Sequence, residues 1–185
     1  MAKIHVALDA PTLVAAASEL SPGALVFPQK YPPGAGAVNA DAIGVFVYDD
    51  DYFGLVLTEA VLDTVTTTLI GALGWDDEQA AHYVELLVAG AKDSGGGVVT
   101  SNSRANFLGG LDESATTAAR GLVGPELAPS RILVTRCADA VRAKDIMVRG
   151  VALPPQTTIT ALSPGDFLSR VKTVRWRMRQ SGARH

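Results

Sequence analysis

The stretch Ile4-His5-Val6-Ala7-Leu8-Asp9-Ala10-Pro11-Thr12-Leu13-Val14 joins two apolar runs through a single aspartate. Residues 3–8 are mainly apolar and include β-branched side chains, which predicts a short buried strand ending at Asp9. A helix is predicted from Thr12 to Leu20, and Pro11 suits its first turn. Asp9 therefore lies between a predicted strand and a predicted helix. An aspartate at this position is typical of a helix N-cap, and it can also be the first carboxylate of an active site.

The same succession of strand and helix recurs along the whole chain. Further strands are predicted at residues 53–57, 98–100, 131–135 and 157–162. Helices are predicted at 40–48 (N-cap Asn39), at 59–74 (N-cap Thr58), from Asp76 to the glycines at 95–97, at 112–123, at 137–147, and from Pro164 with Ser163 as its cap; residues 21–36 and 124–130 are predicted as loops. This alternation predicts an α/β fold of three layers, in which helices flank a central, mostly parallel sheet.

Length and composition limit the class of protein. A chain of 185 residues, 48% of them hydrophobic, suits one compact domain over residues 1–185. No apolar run approaches the ~20 residues that cross a bilayer, and no signal peptide is evident. The single cysteine, Cys137, excludes an internal disulfide and favours a reducing, cytoplasmic location. Three scattered histidines and one cysteine form no zinc signature.

Positive charge is concentrated at the C-terminal end. Residues 170–185 hold six Lys or Arg and no acid, which leaves −9 for the first 169 residues, given −3 overall. A basic C-terminal helix and tail is therefore predicted at about 164–185. Its cations either form a solvated helix face or contact nucleic acid, with Trp176 available to stack on a base. The candidate nucleic-acid residues are Arg175, Trp176, Arg177 and Arg179.

Carboxylates are the recurring side chains near the predicted strand ends. In a parallel α/β sheet, ligands collect outside the carboxyl ends of the strands. Asp9 follows the first strand, Asp139 follows residues 131–135, and Asp112 opens a helix. Carboxylates brought together would suit Mg²⁺. A capping role remains open for Asp9 and Asp112, because Asp is among the preferred N-caps.

The ordered set of segments resembles the PIN family, small nucleases known as the toxins of bacterial toxin–antitoxin pairs. The similar segments are LDAPTLV at 8–14, LVLTEAVLDTVTTTL at 55–69, DESATTAARGL from Asp112, LVTRC at 133–137 and ITALSPGDFLSRV at 159–171. They cover nearly the whole chain in the family's order. The resemblance implies a PIN-like fold and a Mg²⁺- or Mn²⁺-dependent endoribonuclease. Asp9 and Asp112 would hold the metal, and Asp139 would assist as a third catalytic residue.

Two of the four acids that the resemblance implies are replaced in this chain. The second falls on Thr64, beside Asp63, and the fourth falls on Cys137, whose thiol suits a hard cation poorly. The loss of two acids is expected to weaken metal binding and to leave the attacking water poorly placed. The alternative is a catalytically inactive PIN-like module that regulates by binding RNA or a protein. The resemblance also implies an antitoxin or other protein partner and a homodimer. No membrane role is expected, because the apolar stripe of the C-terminal helix should be occupied by the core. A lone cysteine such as Cys137 is typical of a small buried residue rather than a nucleophile.

Overall fold

The computed structural model describes residues 3–20, 37–48, 51–124, 130–150 and 157–182 as a seven-stranded sheet with helices on both faces. The strands are β1 (Ile4–Leu8), β2 (Phe53–Leu57), β3 (Gly97–Val98), β4 (Asn106–Leu108), β5 (Arg131–Val134), β6 (Asp145–Arg149) and β7 (Thr158–Leu162). The helices are α1 (Ala10–Glu19), α2 (Val38–Tyr48), α3 (Glu59–Leu73), α4 (Asp77–Asp93), α5 (Glu113–Ala119), α6 (Ala138–Ala143) and α7 (Pro164–Gly182), with a 3-10 turn at Arg120–Leu122. The predicted α/β fold is confirmed.

The strand order places β1 at the centre of the parallel part of the sheet. The order is β3-β2-β1-β5-β7-β6-β4, and the first five of these strands are parallel. Strands β6 and β4 extend the sheet by antiparallel pairing. The chain winds from β1 outward to β3, adds β4 at the opposite edge of the sheet, and then returns to β5 on the other side of β1. In such doubly wound sheets, ligands bind at the carboxyl ends of the strands where the winding reverses, which here is between β1 and β5.

The side chains on the two faces of β2 show which helices cover each side of the sheet. Neighbouring side chains on a strand point to opposite faces, so Phe53 and Val56 lie on different sides of the sheet. The ring of Phe53 meets Phe167 of α7, which also stacks on Phe46 of α2. On the other side, Val56 lies against Gly121 of the 3-10 turn. Helices α2 and α7 therefore cover one face, and the turn that continues α5 covers the other.

Helix α7 begins as the sequence predicts and is anchored by its first turn. Ser163 accepts a hydrogen bond from the Asp166 amide (3.1 Å) and donates its hydroxyl to the Asp166 carboxylate (2.8 Å). Phe167 is fully buried (0% exposed), with ring centroids 6.0 Å from Phe46 and 5.7 Å from Phe53. The predicted basic C-terminal helix is thus docked on the core through its apolar stripe, and its other faces meet solvent.

The structure corrects two of the predicted elements. The helix predicted at 137–147 is wrong beyond Ala143, because α6 ends there and β6 follows. The alternating burial of residues 145–149, with Ile146 and Val148 inside, is a strand pattern that the helical reading missed. Asn39 is not an N-cap, because α2 already begins at Val38. Most of the predicted loops at 21–36 and 124–130 lie outside the described residues, and β4 was not predicted.

No helix within the described ranges is both long and apolar enough to cross a membrane.

Candidate functional site

A cleft lies at the carboxyl edge of the sheet, where the winding reverses. It encloses about 660 Å³ and is bounded by α1, the start of α2, the outer face of α3, the first turn of α5 and the residue after Thr135. We call it the carboxyl-edge cleft. Its polar lining residues among those described are Ser18, Glu19, Asn39, Thr64, Thr68, Ser114 and Arg136. Hydroxyl groups therefore outnumber charged groups in this lining, and Glu19 is its one acid within the described part of the chain.

Asp9 lies beneath this edge and is almost fully buried, at 1% exposure. Its Oδ1 accepts hydrogen bonds from the Thr12 amide (3.0 Å) and the Thr12 hydroxyl (2.5 Å). Its Oδ2 accepts from the Thr135 hydroxyl (2.5 Å) and the Arg136 amide (3.1 Å). A carboxylate offers about four acceptor sites, so these four donors use its capacity. Asp9 thus caps α1 with one oxygen and holds the end of β5 with the other.

Backbone hydrogen bonds explain why the end of β5 sits beside Asp9. The Asp9 amide donates to the carbonyl of Val134 (3.1 Å), which continues the β1–β5 ladder by one residue. The Thr135 amide donates to the carbonyl of Leu162 (2.9 Å), and the Thr135 hydroxyl accepts from the Cys137 amide (2.9 Å). Thr135 is fully buried and joins β1, β5 and β7 at their carboxyl ends. Asp9 and Thr135 therefore form a clamp across the point where the winding reverses.

The other two predicted carboxylates are exposed and have separate local roles. Asp112 is the N-cap of α5 and accepts from the Ala115 amide (2.8 Å). Asp139 is in the first turn of α6 and forms an ion pair with Arg142 (3.3 Å). It lies against the turn that precedes Asp112, since a Cβ on Gly110 would stand 3.1 Å from that of Asp139. Capping is thus an observed role of both Asp9 and Asp112.

Thr64 and Cys137, which stand at the two positions where the resemblance implies acids, also lie at this end of the molecule. Thr64 and Asp63 are both exposed, and of the two only Thr64 lines the carboxyl-edge cleft. The Thr64 hydroxyl donates to the carbonyl of Ala60 within α3 (2.9 Å). Cys137 is half-buried, and its thiol lies 3.3 Å from the carbonyl oxygen of Gly110. Neither residue supplies the carboxylate expected there.

These residues do not fit the metal site that the resemblance implies. Among the described residues, no three His, Cys, Asp or Glu side chains are grouped so that they could hold a metal ion. Asp9, Asp112 and Asp139 are all described, so they do not converge as such a group. Mg²⁺ requires carboxylate oxygens that are free to coordinate. Both oxygens of Asp9 are already engaged by four donors.

Glu19 is a functional group of the cleft that sequence reasoning missed. Its carboxylate accepts from the Asn39 side-chain amide (2.6 Å) and from the Ala40 backbone amide (2.7 Å). It therefore caps α2 from the end of α1, in the role that the sequence assigned to Asn39. Burial, and then the negative charge of Glu19, raise the pKa of the Asp41 carboxyl. No local pattern predicts this contact, because residues 21–36 separate the two helices in sequence.

The four candidate nucleic-acid residues lie on α7, but they do not share one face. Successive residues of a helix are about 100° apart, so Arg177 and Arg179 lie on opposite flanks. Arg175 lies on the same flank as Arg179. Trp176 lies between the flanks, opposite Phe167 and the core, and is 63% exposed. The basic helix therefore presents two cationic flanks separated by an exposed aromatic ring.

Comparisons with protein-family models, with curated proteins and with solved structures find no match to this chain.

Proposed function

We propose that this chain is a PIN-like domain that binds single-stranded RNA through α7 and does not cleave it. The observation that carries the proposal is the state of Asp9, the residue at the family's first acidic position. Its carboxylate is buried and accepts four hydrogen bonds from the chain itself. A metal ion would have to displace donors from a site that is closed to solvent. A clamp role for Asp9 is the simpler account of this arrangement.

The binding part of the proposal is supported by the distribution of charge. The first 169 residues carry −9 in total and would repel a polyanion, whereas residues 170–185 carry six cations. A local cationic surface raises the concentration of a polyanion beside it, even on a protein of negative net charge. Trp176 adds an exposed ring, and stacking of bases on aromatic side chains is the usual means of holding unpaired strands. An antitoxin-like partner and a homodimer stay predictions of the resemblance.

The second candidate is the Mg²⁺-dependent endoribonuclease, with Asp9, Asp112 and Asp139 as its acids. The observation in its favour is the carboxyl-edge cleft, which lies where ligands bind in doubly wound sheets. The identity of the lining residues is against it, because the polar side chains of the cleft are mainly hydroxyl groups where this chemistry uses carboxylates. Losing two acids would also leave the attacking water without a positioned base.

One assay separates the two functions. A 5′-labelled single-stranded RNA is incubated with the full chain in Mg²⁺, in Mn²⁺ and in EDTA, and both its anisotropy and its length are followed. We expect binding that weakens with salt, by about 0.7 in log K per log unit of salt for each phosphate neutralised, and intact RNA in all three buffers.

Asp112→Ala is the control variant, because Asp112 is exposed and its replacement leaves the Asp9 clamp in place. Cleavage that requires the metal and disappears in Asp112→Ala would overturn the proposal in favour of the nuclease. An RNA that is neither bound nor cleaved would overturn both functions and leave a protein-interaction role.

A further inference from the structure

A second cavity lies between α7 and the sheet, away from the carboxyl-edge cleft. It encloses about 570 Å³ and shares no lining residue with that cleft. It reaches Ile4 and Arg131, the first residues of β1 and β5, and therefore extends to the amino edge of these strands. We call it the α7 groove. Its walls are Thr158 and Thr160 of β7 and Asp166, Ser169, Arg170 and Thr173 of α7.

The polar wall of the groove follows from the sequence of β7. Ile159 and Ala161 are fully buried on one face of the strand, while Thr158 and Thr160 are on the other face and are not buried. The face that looks toward α7 thus carries hydroxyl groups where a packed layer would carry aliphatic side chains. Ile4, Ile132 and Leu162 supply the apolar part of the lining, so the groove presents both hydroxyl and apolar side chains to α7.

The helix wall of the groove continues into exposed cationic and aromatic residues. Asp166, Arg170 and Thr173 follow one another at the three- and four-residue spacing that places side chains on one side of a helix. The same spacing leads on from Thr173 to Trp176 and Arg177. Arg170 and Arg177 are two turns apart, or ~10 Å along the axis. Neither is seen in an ion pair with another of the described residues.

We propose that the α7 groove holds a single strand of RNA along α7. The proposal rests on the RNA-binding function proposed above and locates it. Phosphates meet Arg170 and Arg177, and one base stacks on Trp176. The hydroxyls of Thr158, Thr160 and Thr173 meet ribose and base edges. Asp166 lies at the end of the groove nearest the start of α7, where its charge repels phosphate and limits the path of the strand.

Unpaired RNA fits this surface better than an acidic peptide does. Both ligands would meet the arginines, but the exposed indole of Trp176 offers a stacking surface that every base can use. The row of hydroxyl groups suits the donors and acceptors of ribose and bases, which an acidic peptide lacks, while Asp166 repels phosphate and carboxylate alike.

The groove uses Trp176 and Arg177 of the four candidate nucleic-acid residues and leaves Arg175 and Arg179 on the opposite flank, outside the proposed path of the strand. That flank supplies a matched control. Lys172 and Arg179 are each two residues from Arg170 and Arg177, and therefore about 160° away around the helix. All four residues are exposed. The double variants Arg170→Glu/Arg177→Glu and Lys172→Glu/Arg179→Glu change the net charge by the same amount. A difference between them reports the position of the charges rather than their number.

The experiment measures the affinity of each variant for a labelled single-stranded RNA over a range of salt. We expect Arg170→Glu/Arg177→Glu to weaken binding strongly and to reduce the salt slope by about 1.4, since two phosphate contacts are lost. Lys172→Glu/Arg179→Glu should have little effect on either quantity. Trp176→Ala should weaken binding roughly tenfold with little change in salt slope, because stacking rather than charge is removed. Thr173→Trp, which fills the groove without altering charge, should weaken binding as well.

Several outcomes would overturn the groove while leaving RNA binding intact. Equal losses in the two double variants, or full affinity in Thr173→Trp, would place the strand elsewhere. If the wild-type chain binds no RNA, the proposed function and the groove fail together. If poly-glutamate binds with the sensitivity expected of RNA while RNA does not bind, the groove is a peptide site and the proposal is wrong. Thermal melting of each variant checks that the fold is kept.

Discussion

Replacing Asp9 by alanine is expected to destabilise the protein by about 4 kcal/mol, a large share of the ~5–15 kcal/mol that stabilises a typical domain. The substitution removes the acceptor of four hydrogen bonds and leaves the hydroxyls of Thr12 and Thr135 and the Arg136 amide without it. Each buried donor left unsatisfied costs about 1–3 kcal/mol. The free energy of unfolding, from urea denaturation followed by circular dichroism, measures the loss.

Asp112→Ala is the matched control for this prediction. Asp112 is also an N-cap aspartate, but it is exposed and accepts from the Ala115 amide alone among the contacts seen. Its replacement should cost about 1 kcal/mol, the usual value of a cap. The stability lost in Asp9→Asn should lie between the losses in Asp112→Ala and Asp9→Ala. The amide oxygen still accepts hydrogen bonds, whereas the amide nitrogen would face donors. Equal stabilities of Asp9→Ala and Asp112→Ala would contradict the clamp.

Phe167→Ala is expected to destabilise the protein by about 3–5 kcal/mol, the usual cost of removing a buried aromatic ring. Phe167 is fully buried and holds α7 against Phe46 of α2 and Phe53 of β2. Its loss opens a cavity where the helix meets the core. RNA binding should weaken too, since the α7 groove exists only while α7 is docked. Chemical denaturation measures the first effect and RNA anisotropy the second.

Trp176→Ala separates docking from binding on the same helix. Trp176 is 63% exposed, so its removal should change the free energy of unfolding by less than about 0.5 kcal/mol while it weakens RNA binding. Phe167→Leu keeps part of the apolar contact and should lie between wild type and Phe167→Ala in stability. A loss below about 1 kcal/mol in Phe167→Ala would mean that α7 does not depend on this contact.

Local sequence signals predicted most strands of the parallel sheet and the N-caps of several helices. Thr58 and Ser163 precede their helices and cap them as expected, because a cap is decided by residues within one turn. The wrong predictions concern features that local sequence does not determine. Helix α2 is capped by Glu19, 20 residues before Asn39, so the Asn39 signal misled. The alternation in β6 extends over five residues only, too few to distinguish it from the helix predicted at 137–147.

Contacts between residues distant in sequence also limited how much of the candidate site could be predicted. The position of Asp9 at the end of the central strand could be predicted from residues 4–14. Its second set of donors could not, because Thr135 is 126 residues away and nothing near Asp9 indicates that the hydroxyl will meet its carboxylate. The basic helix was predicted from composition. The α7 groove was not, since it depends on which threonines of β7 face α7 once the sheet has formed.

The most direct test of the account is a Mn²⁺ titration of the metal-free chain, followed by the electron paramagnetic resonance signal of free Mn²⁺. If the Asp9 carboxylate is a clamp whose acceptor sites are used by the chain, the free signal should rise as it does in buffer alone, for wild type and for Asp112→Ala. Removal of one Mn²⁺ per chain from the free pool by wild type, and not by Asp112→Ala, would contradict the account and restore the nuclease.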